Sequence, residues 1–452
     1  MITISEIKNR NDIYYLQEIM DDKKIVNRTI IKYHVVLTDV NDETYFLLYD
    51  KYMNPSYNVF EYINFYLKGQ AYNSKSKALH AMKFLFCFQD IICKELKDFT
   101  ITDLLAFKDF LRGYNRAGNL ITYKDLTGRS AETVNGYLCI YRSFLEYLGE
   151  SNKYLNQRIH RKNHIWNESE NDIYVRERYK INEIAGNNQE VPMYISVSEF
   201  IKIIQLIRKE YSIRDECIVR LMYETGMRIG EVLGLTNEDI AIEKIDGEYR
   251  AIVYIRNRTS DNKKSQHAKT CMKIYDKKQY TSKEYHTPSR GYQMVFISEE
   301  LYSLIGAYVE QEHEHQRMLH EDNYFKSTIA DCVLDTSDEN FYIFLNSLGR
   351  PLSNMSWNNI IREIFVKLNI PLDVCVREHN INHRFRHGFA MFQVDYLHIK
   401  SVQLAVLMRH TTISSVMKYY RPTTSDKIRV KMQFANSLYK MFPELEQFRG
   451  EN

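Results

Sequence analysis

A handful of side chains, most of them within forty residues near the C-terminal end, constrain this chain more than anything else in it. His383, Arg386 and His387 stand in HRFRHGFA, His410 and Tyr419 in LMRHTTISSVMKYY, and Arg228 far upstream in ETGMRIGEVLGL. Spacings of three and four put His383, Arg386 and His387 on one face of a helix. Arginines can clamp phosphate oxygens through a planar fork of donors. Histidines can hold or move protons near neutral pH, and a tyrosine can act as a covalent nucleophile. No Gly-rich phosphate loop and no metal-ligand cluster accompanies them. Together they form a kit for attacking a phosphodiester, provided the fold carries residue 228 to residue 386.

Each residue also has a plainer reading. Arg228 and Glu231, three apart, could be a surface ion pair. His379, His383 and His387 could share a helical face as metal ligands, but no carboxylate or cysteine completes a zinc set. Tyr419 is one of 35 tyrosines, most of which are expected to be structural.

The boxes around Arg228 (TGMRIGE), His383-x-x-Arg386-His387, and His410 with Tyr419 nine residues later resemble those of the tyrosine recombinases, the phage integrase family. LNSLGRPLS at 345–353 resembles the family's segment before its second arginine box. The resemblance covers about residues 190–445. It implies a catalytic set of Arg228, Lys269, His383, Arg386, His410 and Tyr419, with His387 as a buttress. Lys269 in SQHAKT resembles the family's lysine in a β-hairpin turn, the general acid for the 5′-oxygen leaving group. The hairpin here is longer than usual, and Lys263, Lys264 and Lys273 compete for the role. Two positions depart from the pattern: Arg409 replaces the usual glycine before His410, and Gly388 replaces the common Ser or Thr after His387. The chemistry implied is attack by Tyr419, a 3′-phosphotyrosyl link and a free 5′-hydroxyl, with no cofactor and no metal. The partners implied are double-stranded DNA and a homotetramer on two DNA sites, with accessory DNA-bending proteins as further candidates.

Composition fits this without proving it. At 452 residues the chain should hold two or three domains, and 44% hydrophobic content suffices for their cores. The formal charge is only +3, so charge distribution matters more than its total. Residues 256–290 hold ten Lys or Arg against three acids, a basic stretch that suits either nucleic acid or a solvated loop. Seven scattered cysteines, none in a CxxC, read as free thiols of a reduced, cytoplasmic protein. MITISEIKNRND lacks a signal pattern, and no apolar run is long enough for a membrane helix. The bias to Tyr, Ile, Lys and Asn suits an AT-rich mobile element.

The expected fold is mainly α with a small antiparallel β-sheet. Residues 1–52 read as a small β-rich region, with IIKYHVVL and TYFLLYD around the turn-like DVNDE. Residues 53–150 read as helices, with Thr100 and Ser130 as N-caps. By resemblance they are a helical core-binding domain that clamps DNA; an ordinary helical domain is the plain alternative. Residues 151–190 read as a polar linker. Residues 191–452 read as an α+β tyrosine-recombinase catalytic domain with a C-terminal tail, its strands YRAIVYIRNR and YQMVFIS flanking the basic loop. The tail, 425–450, is expected to pack in trans through Val430, Met432, Phe434, Leu438 and Phe442.

The function expected is a site-specific DNA recombinase of the integrase or transposase kind. The alternatives are a type IB topoisomerase-like enzyme that relaxes DNA by the same attack, and a non-catalytic DNA-binding protein of the same fold.

Overall fold

The computed structural model describes residues 2–9, 12–21, 24–40, 43–115, 121–166, 171–184, 191–263, 266–334, 339–372 and 381–421, with positions 428 and 432. The tail expected to pack in trans, 425–450, therefore lies outside the described residues but for positions 428 and 432. The chain divides into two units, Met1–Asn187 and Asn188–Asn452.

The first unit opens with β1 (Ile2–Asn9), β2 (Asp12–Asp21), β3 (Lys24–Ile31), β4 (His34–Val40) and β5 (Glu43–Tyr49). IIKYHVVL and TYFLLYD meet as the β4–β5 hairpin, His34 opposite Tyr49. Helices α1 (Tyr57–Glu61), α2 (Tyr72–Ile92), α3 (Ile101–Arg112) and α4 (Ala131–Tyr147) follow. Thr100 caps α3 with a reciprocal box: Asp103 N donates to its hydroxyl at 3.2 Å, and Thr100 N donates to the Asp103 carboxylate at 2.9 Å. The Ser130 hydroxyl accepts from Thr133 N at the start of α4.

Two features were invisible in the sequence. Strand β6 (Ile121–Lys124) lies parallel to β1, giving the order β3-β2-β1-β6. Ile4 and Tyr15 of this sheet join Phe88, Phe107 and Phe110 of the helices in one hydrophobic core, with the Tyr15 and Phe110 rings 4.9 Å apart. Residues 1–52 and 53–150, read as separate regions, thus share a core. Second, where the sequence suggested a polar linker over 151–190, β7 (Arg158–Trp166) and β8 (Asn171–Tyr179) form an antiparallel hairpin. RIHRKNHIW is too polar to display the apolar alternation of a half-buried strand.

The second unit carries α5 (Val197–Glu210), α6 (Ile213–Thr225) and α7 (Ile229–Leu233). Next come β9 (Ile240–Ile245), β10 (Glu248–Arg256) and β11 (Tyr292–Ile297), antiparallel in the order β11-β10-β9. Helices α8 (Glu299–Tyr308), α9 (Glu314–Leu319), α10 (Glu321–Ser327), α11 (Asn354–Lys367), α12 (His383–Asp395) and α13 (Ser401–Leu407) complete it. Two 3₁₀ turns, Ile413–Ser415 and Met417–Tyr420, follow α13. The expectation of mainly α structure with small antiparallel sheets holds; β9 and the hairpins of the first unit add to it. No helix among the described residues is long and apolar enough to cross a membrane.

Helix α12 is held against α6 at close quarters, which explains Gly388. A Cβ there would collide with the Ile195 carbonyl and come within 2.6 Å of the Tyr223 ring. Ile195 N donates to Arg384 O at 3.1 Å, so the obstructing backbone is tied to α12 itself. Gly388→Ser is expected to destabilise the unit by roughly 1–3 kcal/mol through overpacking, read as a fall in the thermal midpoint. An unchanged midpoint would contradict this packing.

Candidate active site

Arg228 follows the left-handed Gly226 (φ +64°) that ends α6, and forms the N-cap of α7. A side chain at 226 would strike the Phe389 ring of α12 at 2.6 Å, so this turn sits directly on the helix bearing His383, Arg386 and His387. The Arg228–Glu231 pair foreseen as a helical neighbour forms at 2.7 Å, but the carboxylate has no exposure. Burial works to raise Glu231, yet Arg409, Arg228 and Arg386 hold it below the usual carboxylate range. A buried carboxylate with this many cations serves to organise them.

Arg386 is itself 4% exposed. It donates to Gly226 O and to Met408 O, and its Nη2 lies 3.5 Å from His410 Nε2. Burial, then the adjacent Arg228, draws its pKa down to about 9, which leaves it charged at neutral pH. The carbonyl bonds fix its plane and offset part of the cost of burying the charge.

The histidines sit in this positive field. His383 is held down to about 4 by burial, with Arg228, Arg386, Lys269 and Lys418 adding to the effect. His410 is held to about 4 by burial, Arg386 and Arg228. His387 falls to about 3 through burial and the Lys418 and Arg386 charges. All three are neutral in the free protein. Among the described residues no group of three or more His, Cys, Asp or Glu could hold a metal ion.

Tyr419 is 2% exposed, and its hydroxyl lies 2.7 Å from His387 Nδ1. In the tautomer whose Nδ1 is bare, the phenol donates to it. Burial pushes Tyr419 up to about 12, against the pull of Arg386 and Arg228. Tyr420 turns elsewhere and donates to Ile399 O at 2.8 Å. The segment is a 3₁₀ turn, and Tyr419 is the more deeply buried of the two. The geometry still points the Tyr419 hydroxyl, not that of Tyr420, at the histidine cluster.

Lys269 stands exposed in a turn after β10. Asn257, 2% exposed, holds that turn: its Nδ2 donates to Ala268 O at 2.9 Å and Met272 O at 3.0 Å, and Ala268 N donates back at 2.7 Å. Of its rivals, Lys264 and the Lys263 side chain lie outside the described residues.

The basic stretch 256–290 is less cationic than its sequence suggests. Arg258 is fully buried and forked on Asp239 at 2.9 Å through both Nη atoms. Arg256 joins the same carboxylate at 2.8 Å. Lys277 pairs with Asp331 at 2.9 Å and Arg290 with Glu284 at 2.8 Å. Four of its ten cations are thus met by carboxylates.

The structure therefore brings Arg228, His383, Arg386, His410 and Tyr419 together, with the Lys269 charge bearing on His383. Sequence reading underrated His387, the phenol's partner, and missed Arg409 and Lys418. Lys418 adjoins Tyr419, its Nζ 5.0 Å from that ring's centroid. Adjacency to the nucleophile was the available signal; Arg409 was visible only as an oddity.

Parts of the chain are similar to known proteins. The model of the phage integrase family matches residues 194–300. Transposase A from transposon Tn554 of Staphylococcus aureus is 29% identical over 202 residues, 43% of this chain and 54% of that protein. The chain thus matches about half the length of these curated relatives. Among solved structures, XerH site-specific recombinase bound to palindromic difH substrate, in a post-cleavage complex, has a TM-score of 0.49 at 18% identity, covering 81% of this chain and 80% of that one. The Tn1549 transposon integrase in complex with transposon right end DNA has a TM-score of 0.49 at 15% identity, covering 84% and 99%.

Proposed function

From a chain whose residues 194–300 carry the phage integrase family's model, we propose a site-specific DNA recombinase that cuts and rejoins duplex DNA through a 3′-phosphotyrosyl intermediate. The observation that carries this reading is the convergence of Arg228, Arg386 and His410 beside the Tyr419 hydroxyl. In the proposed reaction a phosphate lies between the two arginines, whose donors meet the charge that grows on the non-bridging oxygens. Tyr419 Oη attacks phosphorus, its proton passing toward the histidine cluster through His387. The P–O5′ bond breaks, and the 5′-oxygen takes a proton from Lys269. A second 5′-hydroxyl can reverse these steps on a new partner strand, because the bond energy is retained in the phosphotyrosyl link.

The assembly we propose is a homotetramer on two double-stranded sites, acting in the cytoplasm with accessory DNA-bending proteins. The first unit would be the core-binding clamp and the second the catalytic domain. Incubation with duplexes taken from the junctions of the element encoding the chain, nicked to trap the intermediate, tests the reading. A covalent protein–DNA adduct and joining between two sites are expected. Relaxation of plasmid without joining would favour a type IB topoisomerase-like enzyme, and binding with no adduct a non-catalytic protein.

The leaving-group role has its own test. Lys269→Ala should cleave normal DNA about 10²-fold or more slowly, the scale of general acid catalysis. It should recover on a substrate with sulfur at the bridging 5′-position, since a thiolate leaves unprotonated. Recovery by Lys418→Ala or Lys273→Ala instead would move the role to that lysine.

A further inference from the structure

Arg409 occupies a place where its backbone alone would favour glycine. Its φ is +55°, the left-handed region that strains side-chain-bearing residues. Arg409 N donates to Val406 O at 2.9 Å and His410 N to Ala405 O at 2.8 Å, so the residue ends α13 as glycine commonly ends a helix. The side chain that accepts this strain is only 7% exposed. Its Nη2 donates to Glu231 Oε2 at 2.8 Å. Longer contacts of 3.4 Å reach Gly226 O and Thr225 O. Gly226 O is the same carbonyl that accepts from Arg386.

Glu231 is therefore divided. Oε1 takes Arg228 Nη1 at 2.7 Å, while Oε2 takes Arg409 at 2.8 Å and the Arg228 backbone N–H at 2.9 Å. Carboxylates and guanidinium groups favour two-pronged pairing. With Oε2 filled by Arg409, Arg228 meets the carboxylate through one side-chain nitrogen. Its Nη2 and Nε keep no protein acceptor among the described residues.

Resting on the recombinase reading, we propose that Arg409 is a positioning residue that shares Glu231 with Arg228, keeping two prongs of the Arg228 guanidinium free for the scissile phosphate. Without it, Oε2 would draw a second Arg228 nitrogen into a closed pair, and the clamp would lose a prong. Arg409 also ties the His410 turn to the Gly226 carbonyl, so one side chain registers both halves of the clamp.

Arg409→Gly tests this, because it removes the side chain and relieves the backbone strain. Single-turnover cleavage of the nicked duplex should fall about 10- to 100-fold, the scale of a misplaced catalytic group, with DNA affinity within about twofold. Arg409→Lys, which keeps a cation on Glu231, should recover most of the rate. In an Arg228→Lys background, Arg409→Gly should cost little more, since both act through one group. Should Arg409→Gly fail to fold, Arg409→Asn tolerates the same φ, is too short to reach Glu231, and should show the same loss. Wild-type cleavage by Arg409→Gly or Arg409→Asn, or a loss that adds in full to that of Arg228→Lys, would overturn the inference alone. Absence of any adduct from the unaltered chain would overturn it together with the recombinase reading.

Discussion

Tyr419→Phe is expected to bind the target duplex normally and form no covalent adduct. The substitution deletes only the hydroxyl, so the ring's packing beside Val416 and Phe389 is kept. What is lost is the atom 2.7 Å from His387 Nδ1, the sole proposed nucleophile. Losing a nucleophile typically lowers turnover by about 10⁴-fold or more. Tyr420→Phe is the matched control. It removes one bond to the Ile399 carbonyl at 2.8 Å, worth about 1 kcal/mol, and should still form the adduct. A reversed pattern in a gel assay for the adduct would reassign the nucleophile.

Arg386→Lys is expected to lower the single-turnover cleavage rate by roughly 10²-fold or more, about 3 kcal/mol, the usual scale for losing one oriented donor to a developing charge. The ammonium keeps the charge but not the fork. In the structure that fork reaches Gly226 O, Met408 O and the neighbourhood of His410 at once, and one Nζ on a flexible stem cannot hold this arrangement. Arg228→Lys should act similarly, since its guanidinium is set by Glu231. DNA affinity should hold in both, because many phosphate contacts share it. Cleavage near the wild-type rate by either variant would remove that residue from the clamp.

The parts of the site that sequence could suggest were those with short-range logic. His383, Arg386 and His387 follow from spacing on one helix, and Glu231 from its place three residues after Arg228. Residues whose role depends on what tertiary structure brings opposite them were not legible. His387 meets its hydrogen-bond partner Tyr419 from thirty-two positions away. Arg409 gains its function from Glu231, 178 positions upstream. The same holds for the fold. Capping at Thr100 and Ser130 is local chemistry and could be read directly. Strand β6 exists because it finds β1 across some 119 residues, as Ile2 opposite Ile121 shows, and no local pattern announces such a pairing. The basic stretch misled for a related reason: counting Arg256 and Arg258 as free charge ignores Asp239, which the fold places beneath them.

The central claim is that the Tyr419 hydroxyl becomes linked to DNA. Trapping the adduct on a nicked junction duplex, digesting it and mapping the modified peptide by mass spectrometry tests this most directly. The account predicts a 3′-phosphotyrosine at Tyr419 on the peptide spanning the Met417–Tyr420 turn. A phosphotyrosine at Tyr420 or elsewhere, or a link to the 5′ rather than the 3′ end, would contradict it.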